Sequence, residues 1–154
     1  MTPDAGHPDA APSDAATDVA PASPCRDAEA FVGGHCYRFT SDVVLCNDVC
    51  EDGHLAAFET EDELRRVTDA MGTPPKGTRY YIGLVPKNGQ PSDASANFVW
   101  VTDAAVTYSR WAPSQPSGDK LATCVLQDVS SDAGAEWFDH RSDDAKIGLC
   151  ERSP

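Results

Sequence analysis

The chain has 154 residues, of which 25 are acidic and 12 basic, for a formal net charge of −13. That length suits one domain plus a tail, or two very small domains. The acidic surplus argues against nucleic acid and anionic lipid as partners, since both call for clustered Lys and Arg, and no apolar run of roughly 18 residues is present to cross a membrane.

Six cysteines, with no paired Cys-x-x-Cys knuckles, point to an oxidised setting, extracellular or at the cell surface. Met1 is followed by a polar stretch without the apolar centre of a secretory signal, so an exported form of this sequence is expected to be a mature form or a fragment. Residues 1–24 are almost wholly Ala, Pro, Asp, Ser and Thr, with four Asp and no Lys, Arg or aromatic residue. Such a segment buries too little apolar area to offset its ordering entropy. It is expected to be a disordered linker, leaving residues 25–154 as the domain.

Within the domain, Phe31 to His35 spans a Gly33-Gly34 pair and predicts a short hairpin that runs into a strand at Cys36–Phe39. Ser41 or Asp42 is placed to cap a helix through Val43, Val44, Cys46, Val49 and Cys50, with its end near Gly53. Leu55–Phe58 reads as extended. Thr60 and Glu63 form a capping box, and the helix it opens runs through Leu64, Val67 and Met71 to Gly72 and the Pro74-Pro75 pair. Strands follow at Tyr80–Val85 and Phe98–Val101, around a turn-rich loop over 86–97. After a long polar loop from Trp111 to Leu121 come three more strands, at Cys124–Leu126, Glu136–Phe138 and Lys146–Cys150. Two short helices followed by many short strands give an α+β pattern, with a small, mainly antiparallel sheet and a long polar loop. The chain shows no nucleophile elbow, phosphate loop or paired-acid signature, and His54 and His140 have no nucleophile beside them, so no enzyme is expected.

Several pieces fall in a familiar order: Gly34-His-Cys36-Tyr-Arg-Phe39, Gly53-His-Leu-Ala56, Thr60 to Leu64, Tyr81-Ile-Gly-Leu84, Trp111-Ala-Pro-Ser-Gln-Pro-Ser-Gly118, Trp137-Phe-Asp139 and Ile147-Gly-Leu-Cys150. Together they resemble the C-type lectin-like domain, in its long form with an N-terminal hairpin, from Cys25 to about Arg152. The resemblance implies an extracellular recognition module whose ligand is a glycan or a protein. It implies the pairs Cys25–Cys36 and Cys50–Cys150. The family's remaining bridge joins the Cys124 position to a cysteine shortly after the Trp-x-Asp motif, where this chain has Ser142 or a neighbour. By elimination Cys46 is left for Cys124. A zinc site of Cys46, Cys50 and His54 is the weaker use of these residues, since Gly53 interrupts their common helical face.

The resemblance also implies a ligand site. In sugar-binding members calcium is held by side chains flanking a cis-proline, by an acid before the next cysteine and by the Asn-Asp of the last motif. Carried over position by position, the metal candidates are Gln115 and Ser117, on either side of Pro116, and Asp139. Ala122 and Phe138 stand where an acid and an asparagine are expected. One carboxylate and two neutral oxygens make a weak set for calcium, which favours several carboxylates; Asp119 is the candidate for a displaced carboxylate. Calcium is thus the one cofactor candidate. Gln-Pro-Ser matches neither common sugar-selecting form, so no sugar is assigned. Asp128, Asp132, Asp143 and Asp144 read as solvated loop acids. Trp100, Trp111 and Trp137 are expected in the core, with Tyr108 and Phe138 as candidates for an exposed aromatic face beside Gln115, Ser117, Asp119 and Asp139. A structural or adhesive domain carried on an acidic stalk is the other function class.

Overall fold

A computed structural model describes residues 3, 6, 22–46, 50–88 and 90–154. The expected linker over 1–24 therefore lies largely outside the described residues. The elements run β1 (Ala30–Val32), β2 (His35–Phe39), β3 (His54–Leu55), α1 (Glu61–Met71), β4 (Arg79–Ile82), β5 (Leu84–Pro86), a 3-10 turn at Ser95–Asn97, β6 (Phe98–Trp100), β7 (Ala122–Asp128), β8 (Glu136–Arg141) and β9 (Leu149–Arg152). They form three sheets in the orders β1-β2-β9-β3, β4-β7-β8 and β5-β6, and every pairing between strands is antiparallel. The α+β expectation holds.

Local signals formed where expected. Gly33 and Gly34 take positive φ and turn β1 into β2. Thr60 Oγ1 accepts from the Glu63 amide at 3.1 Å and so caps α1. The Glu63 carboxylate reaches one residue further back than a capping box requires, to the Glu59 amide at 2.9 Å. Gly72, at φ 62°, closes the helix.

Two elements differ from expectation. The helix expected from Ser41 does not form over residues 41–46; its remainder, Asn47 to Val49, lies outside the described residues. Val44 instead donates to Lys146 O at 2.8 Å and accepts from Lys146 N at 3.0 Å, so this segment lies extended against the last strand's approach. A β-branched pair, Val43-Val44, has little helical preference to set against those bonds. Among the described residues α1 is the one α-helix. The strand expected over Tyr80–Val85 is split at Gly83, and its halves join different sheets. At Gly83 the chain approaches Leu55 so closely that a Cβ would overlap the Leu55 carbonyl oxygen.

The sheet β4-β7-β8 is covered on both faces. Tyr80, Ile82, Val125 and Trp137 face the main core with Phe58, Leu64, Val67 and Trp100. Tyr81, Leu126, Cys124 and Cys46 face a second, smaller cluster. Trp100 and Trp137 are fully buried and meet edge to face with centroids 5.6 Å apart. A buried amide joins the core on its polar side: Gln127 Nε2 donates to the Tyr80 hydroxyl at 2.6 Å, and Trp137 Nε1 donates to Gln127 Oε1 at 3.2 Å. Three disulfides, Cys25–Cys36, Cys46–Cys124 and Cys50–Cys150, fasten the body. The pairing reached by elimination is the one present.

Candidate functional site

The long loop leaves the core at Trp111 and returns at β7. Its entry is tied by the Ala112 amide to Trp137 O at 3.0 Å, and its exit by the Ala122 amide to Asp119 O at 2.8 Å. Between them the Gln115–Pro116 peptide is cis, as the loop shape implied. The Ser92 hydroxyl donates to Asp119 O at 2.9 Å and braces the far side.

Gln115, Ser117 and Asp139 are brought together. The Asp139 side chain, from the middle of β8, is 8% exposed and accepts three hydrogen bonds from the loop. The Ser117 amide donates to Oδ1 at 2.7 Å, the Ser117 hydroxyl to Oδ2 at 3.0 Å and the Gly118 amide to Oδ2 at 3.1 Å. The Asp139 amide in turn donates to Gln115 Oε1 at 3.3 Å. One carboxylate thus gathers the turn after the cis-proline onto β8.

The other acids near the loop and after β8 each have a partner from the chain. Asp119 is exposed, and its Oδ1 accepts from the Leu121 amide at 3.0 Å. Arg141 donates to both carboxylate oxygens of Asp143, at 2.9 and 2.7 Å. That bidentate grip holds the Asp143 carboxyl below the usual range, and the same bonds, with the fields of Asp143 and then Asp119, push the Arg141 guanidinium up. Asp144 is held low by Lys146 at 2.6 Å and by His140 at 2.8 Å. Asp143 and Asp144 are the surface acids expected of them. Asp128 is not: it is buried, and against the cost of burial the Ser130 hydroxyl and Arg79, at 2.6 Å each, bring it down to about 2.

Tyr108 and Phe138 do not form an aromatic face beside this rim. The Tyr108 hydroxyl turns inward and donates to Phe58 O at 2.9 Å, with its ring 5.3 Å from that of Trp137. Burial pushes its phenol up. Phe138 alternates with Trp137 and Asp139 along β8, so it lies on the opposite face of the sheet, under the Arg79 guanidinium at 4.6 Å. Leu121, 54% exposed, is the large apolar side chain the loop does present.

These donors do not fit a calcium ion. Such an ion takes about six to eight oxygens, several of them anionic. Here the Asp139 carboxylate is occupied by three N–H and O–H donors, Gln115 Oε1 faces an amide, Ala122 adds no side-chain oxygen, and Phe138 points away. Arg141, missed in the sequence, stands two residues beyond Asp139 on β8, and strand alternation, which puts the two on one face, is the signal that could have found it.

A family model, the Lectin C-type domain, matches residues 37–152. An alpha-N-acetylgalactosamine-specific lectin from Patiria pectinifera is 27% identical over 135 residues, covering 80% of this chain and 77% of that protein. Human lithostathine is similar in structure, with a TM-score of 0.68 and 23% identity over 84% of this chain and 100% of that one. So is the C-type lectin domain of murine dendritic cell inhibitory receptor 2, solved with an N-glycan, at a TM-score of 0.66 and 18% identity over 84% and 99%.

Proposed function

Because the chain belongs to the C-type lectin domain family, we propose that it is an extracellular recognition module. It binds a carbohydrate or protein ligand through the long-loop surface around Gln115, Ser117, Asp119 and Asp139, with weak or absent dependence on calcium. The observation that carries this reading is the convergence of Gln115, Ser117 and Asp139 on one rim, held together by the chain's own hydrogen bonds. The relative named for its alpha-N-acetylgalactosamine specificity supports a glycan among the ligand classes. Fold alone does not fix the ligand.

Three disulfides support an oxidising compartment, extracellular or at the cell surface. Among the described residues no helix is long and apolar enough to cross a membrane. The formal charge of −13 disfavours nucleic acid. Residues 1–24 serve as an acidic tether, and if the rim binds nothing the domain is a spacer or adhesive part on that stalk. No catalytic role is proposed.

The test is a glycan array and a panel of extracellular proteins, each probed with calcium and with chelator. Binding that is equal in both conditions and centred on the loop supports the reading. Binding abolished by chelator overturns its calcium clause, and binding to neither panel leaves the stalk-borne structural role.

A further inference from the structure

We infer that Asp139 is a positioning residue that closes the long loop in place of a metal ion: its carboxylate, clasped by the Ser117 and Gly118 amides and the Ser117 hydroxyl, is a cation-free latch. The inference deepens the proposed function and rests on it only for the statement that the latched rim is the ligand surface; the latch itself can be tested without any ligand.

A bound cation would do two things at such a rim. It would draw the loop and the strand onto one centre, and it would neutralise the acids crowded there. Both jobs are already filled by the chain. The drawing together is done by Asp139: two of its three donors belong to consecutive residues, Ser117 and Gly118, so one carboxylate fixes the backbone turn after Pro116. Gln115 holds the other flank through the Asp139 amide. Charge-assisted bonds of this kind to a largely buried carboxylate are the stronger class of hydrogen bond. Neutralisation is done by Arg141 on Asp143, in the field of Asp119. A calcium ion entering here would have to displace the Ser117 and Gly118 donors from both oxygens of Asp139, and it would find no second carboxylate at Ala122 to compensate.

The gain from such a latch is pre-organisation. A loop held by covalently attached donors keeps its shape at any calcium level, so the entropy of ordering it is not charged to ligand binding.

The experiment is amide hydrogen exchange on the full chain, wild type, Asp139→Asn and Ser117→Ala, each in excess EDTA and in millimolar calcium. In the wild type the Ser117 and Gly118 amides exchange slowly and equally in both buffers. Asp139→Asn turns an amide NH2 toward the loop donors, and exchange at residues 113–121 rises about tenfold or more, the equivalent of losing one charge-assisted bond. Calcium does not restore it, and amides in β4 and β7 are unchanged. Ser117→Ala keeps both backbone bonds and gives a smaller rise; it stands in for Asp139→Asn if that variant does not fold. Slower exchange of the wild-type loop in calcium, or no change at 117 and 118 in either variant, overturns the latch. A latch that passes this test in a domain that binds nothing on the arrays overturns the proposed function and leaves the latch standing.

Discussion

Removing the Cys46–Cys124 bridge gives the sharpest quantitative test of the framework. Replacing both cysteines with Ala breaks a cross-link that closes 78 residues of chain. With Cys50–Cys150 intact, the unfolded chain between them is already short-circuited to an effective loop of about 23 residues, so on the chain-entropy model the bridge restrains the unfolded state by about 3.4 kcal/mol. Replacing Cys25 and Cys36 with Ala opens a loop of only 11 residues, for which the same relation gives about 2.8 kcal/mol. The difference of about 0.6 kcal/mol is the better quantity, because constants shared by the two cross-links cancel. Packing adds in the same direction, since Cys46 and Cys124 are both buried and Cys25 is not. For a domain of about 130 residues, losing about 3.4 kcal/mol lowers the melting midpoint by roughly 12 °C. Scanning calorimetry of the two double variants and the wild type reads these values directly. If the Cys46/Cys124 variant melts at or above the Cys25/Cys36 variant, the long-range bridge does not carry the load assigned to it. Peptide mapping that finds Cys46 bonded elsewhere would refute the reasoning at its root.

The other predictions concern Glu151 and Tyr108. Glu151 is buried beneath His35, with its Oε1 2.7 Å from His35 Nδ1 though off the hydrogen-bonding direction, and its Oε2 accepts from the Ala57 amide at 2.9 Å. Burial raises its carboxyl, against the pull of Ala57, His54 and His35 and with a further push from Glu63. The native state therefore holds this proton more tightly than the unfolded chain does. The resulting stability is full below the unfolded value near pH 4 and fades as pH rises through the higher native value, by about 1.4 kcal/mol per unit of separation. In thermal melts from pH 4 to 8, Glu151→Gln should gain on the wild type as pH rises, and parallel curves would disprove the assignment. Tyr108→Phe leaves the Phe58 carbonyl without its 2.9 Å donor, a loss of about 1–2 kcal/mol. Because that hydroxyl faces inward, ligand binding on the arrays should be unchanged; an altered ligand spectrum without loss of stability would return Tyr108 to the recognition surface.

Much of the body was legible because its signals are local. A cap needs only Thr60 and Glu63 in step, and a two-glycine turn needs only Gly33 and Gly34 between extended residues. What escaped was decided at long range. Nothing in Val43 to Cys46 announces Lys146, a hundred residues on, whose backbone takes both hydrogen-bonding groups of Val44. Nothing within Tyr80–Val85 says that Gly83 passes against Leu55 and must break the strand there. The site divides in the same way. The resemblance named Gln115, Ser117 and Asp139 correctly as neighbours, because cis-proline and β8 bring them together in the fold. It could not say which way their hydrogen bonds run. Phe138 was misplaced although the period of the strand was readable: its neighbours Trp137 and Asp139 both face inward, so the residue between them faces the other way.

The losses at this rim are coupled. A loop closed by a cation wants as many carboxylates as it can gather, and without the cation those carboxylates repel one another across a few ångströms. A loop closed by N–H and O–H donors wants the reverse: one carboxylate with both oxygens satisfied, and a cation set among the neighbouring acids. Ala122, Phe138 and Ser117 in place of charged or amide ligands, with Arg141 set among Asp119 and Asp143, meet the second requirement and fail the first. Restoring one acid, as in Ala122→Asp, would not rebuild a calcium site. It would set a second carboxylate near Asp139 while leaving the three donors where they are, so the domain should lose stability in EDTA and recover little of it in calcium. Recovery of the full melting midpoint at millimolar calcium would mean that the rim is an ordinary cation site lacking a single ligand, and the latch would be incidental to it.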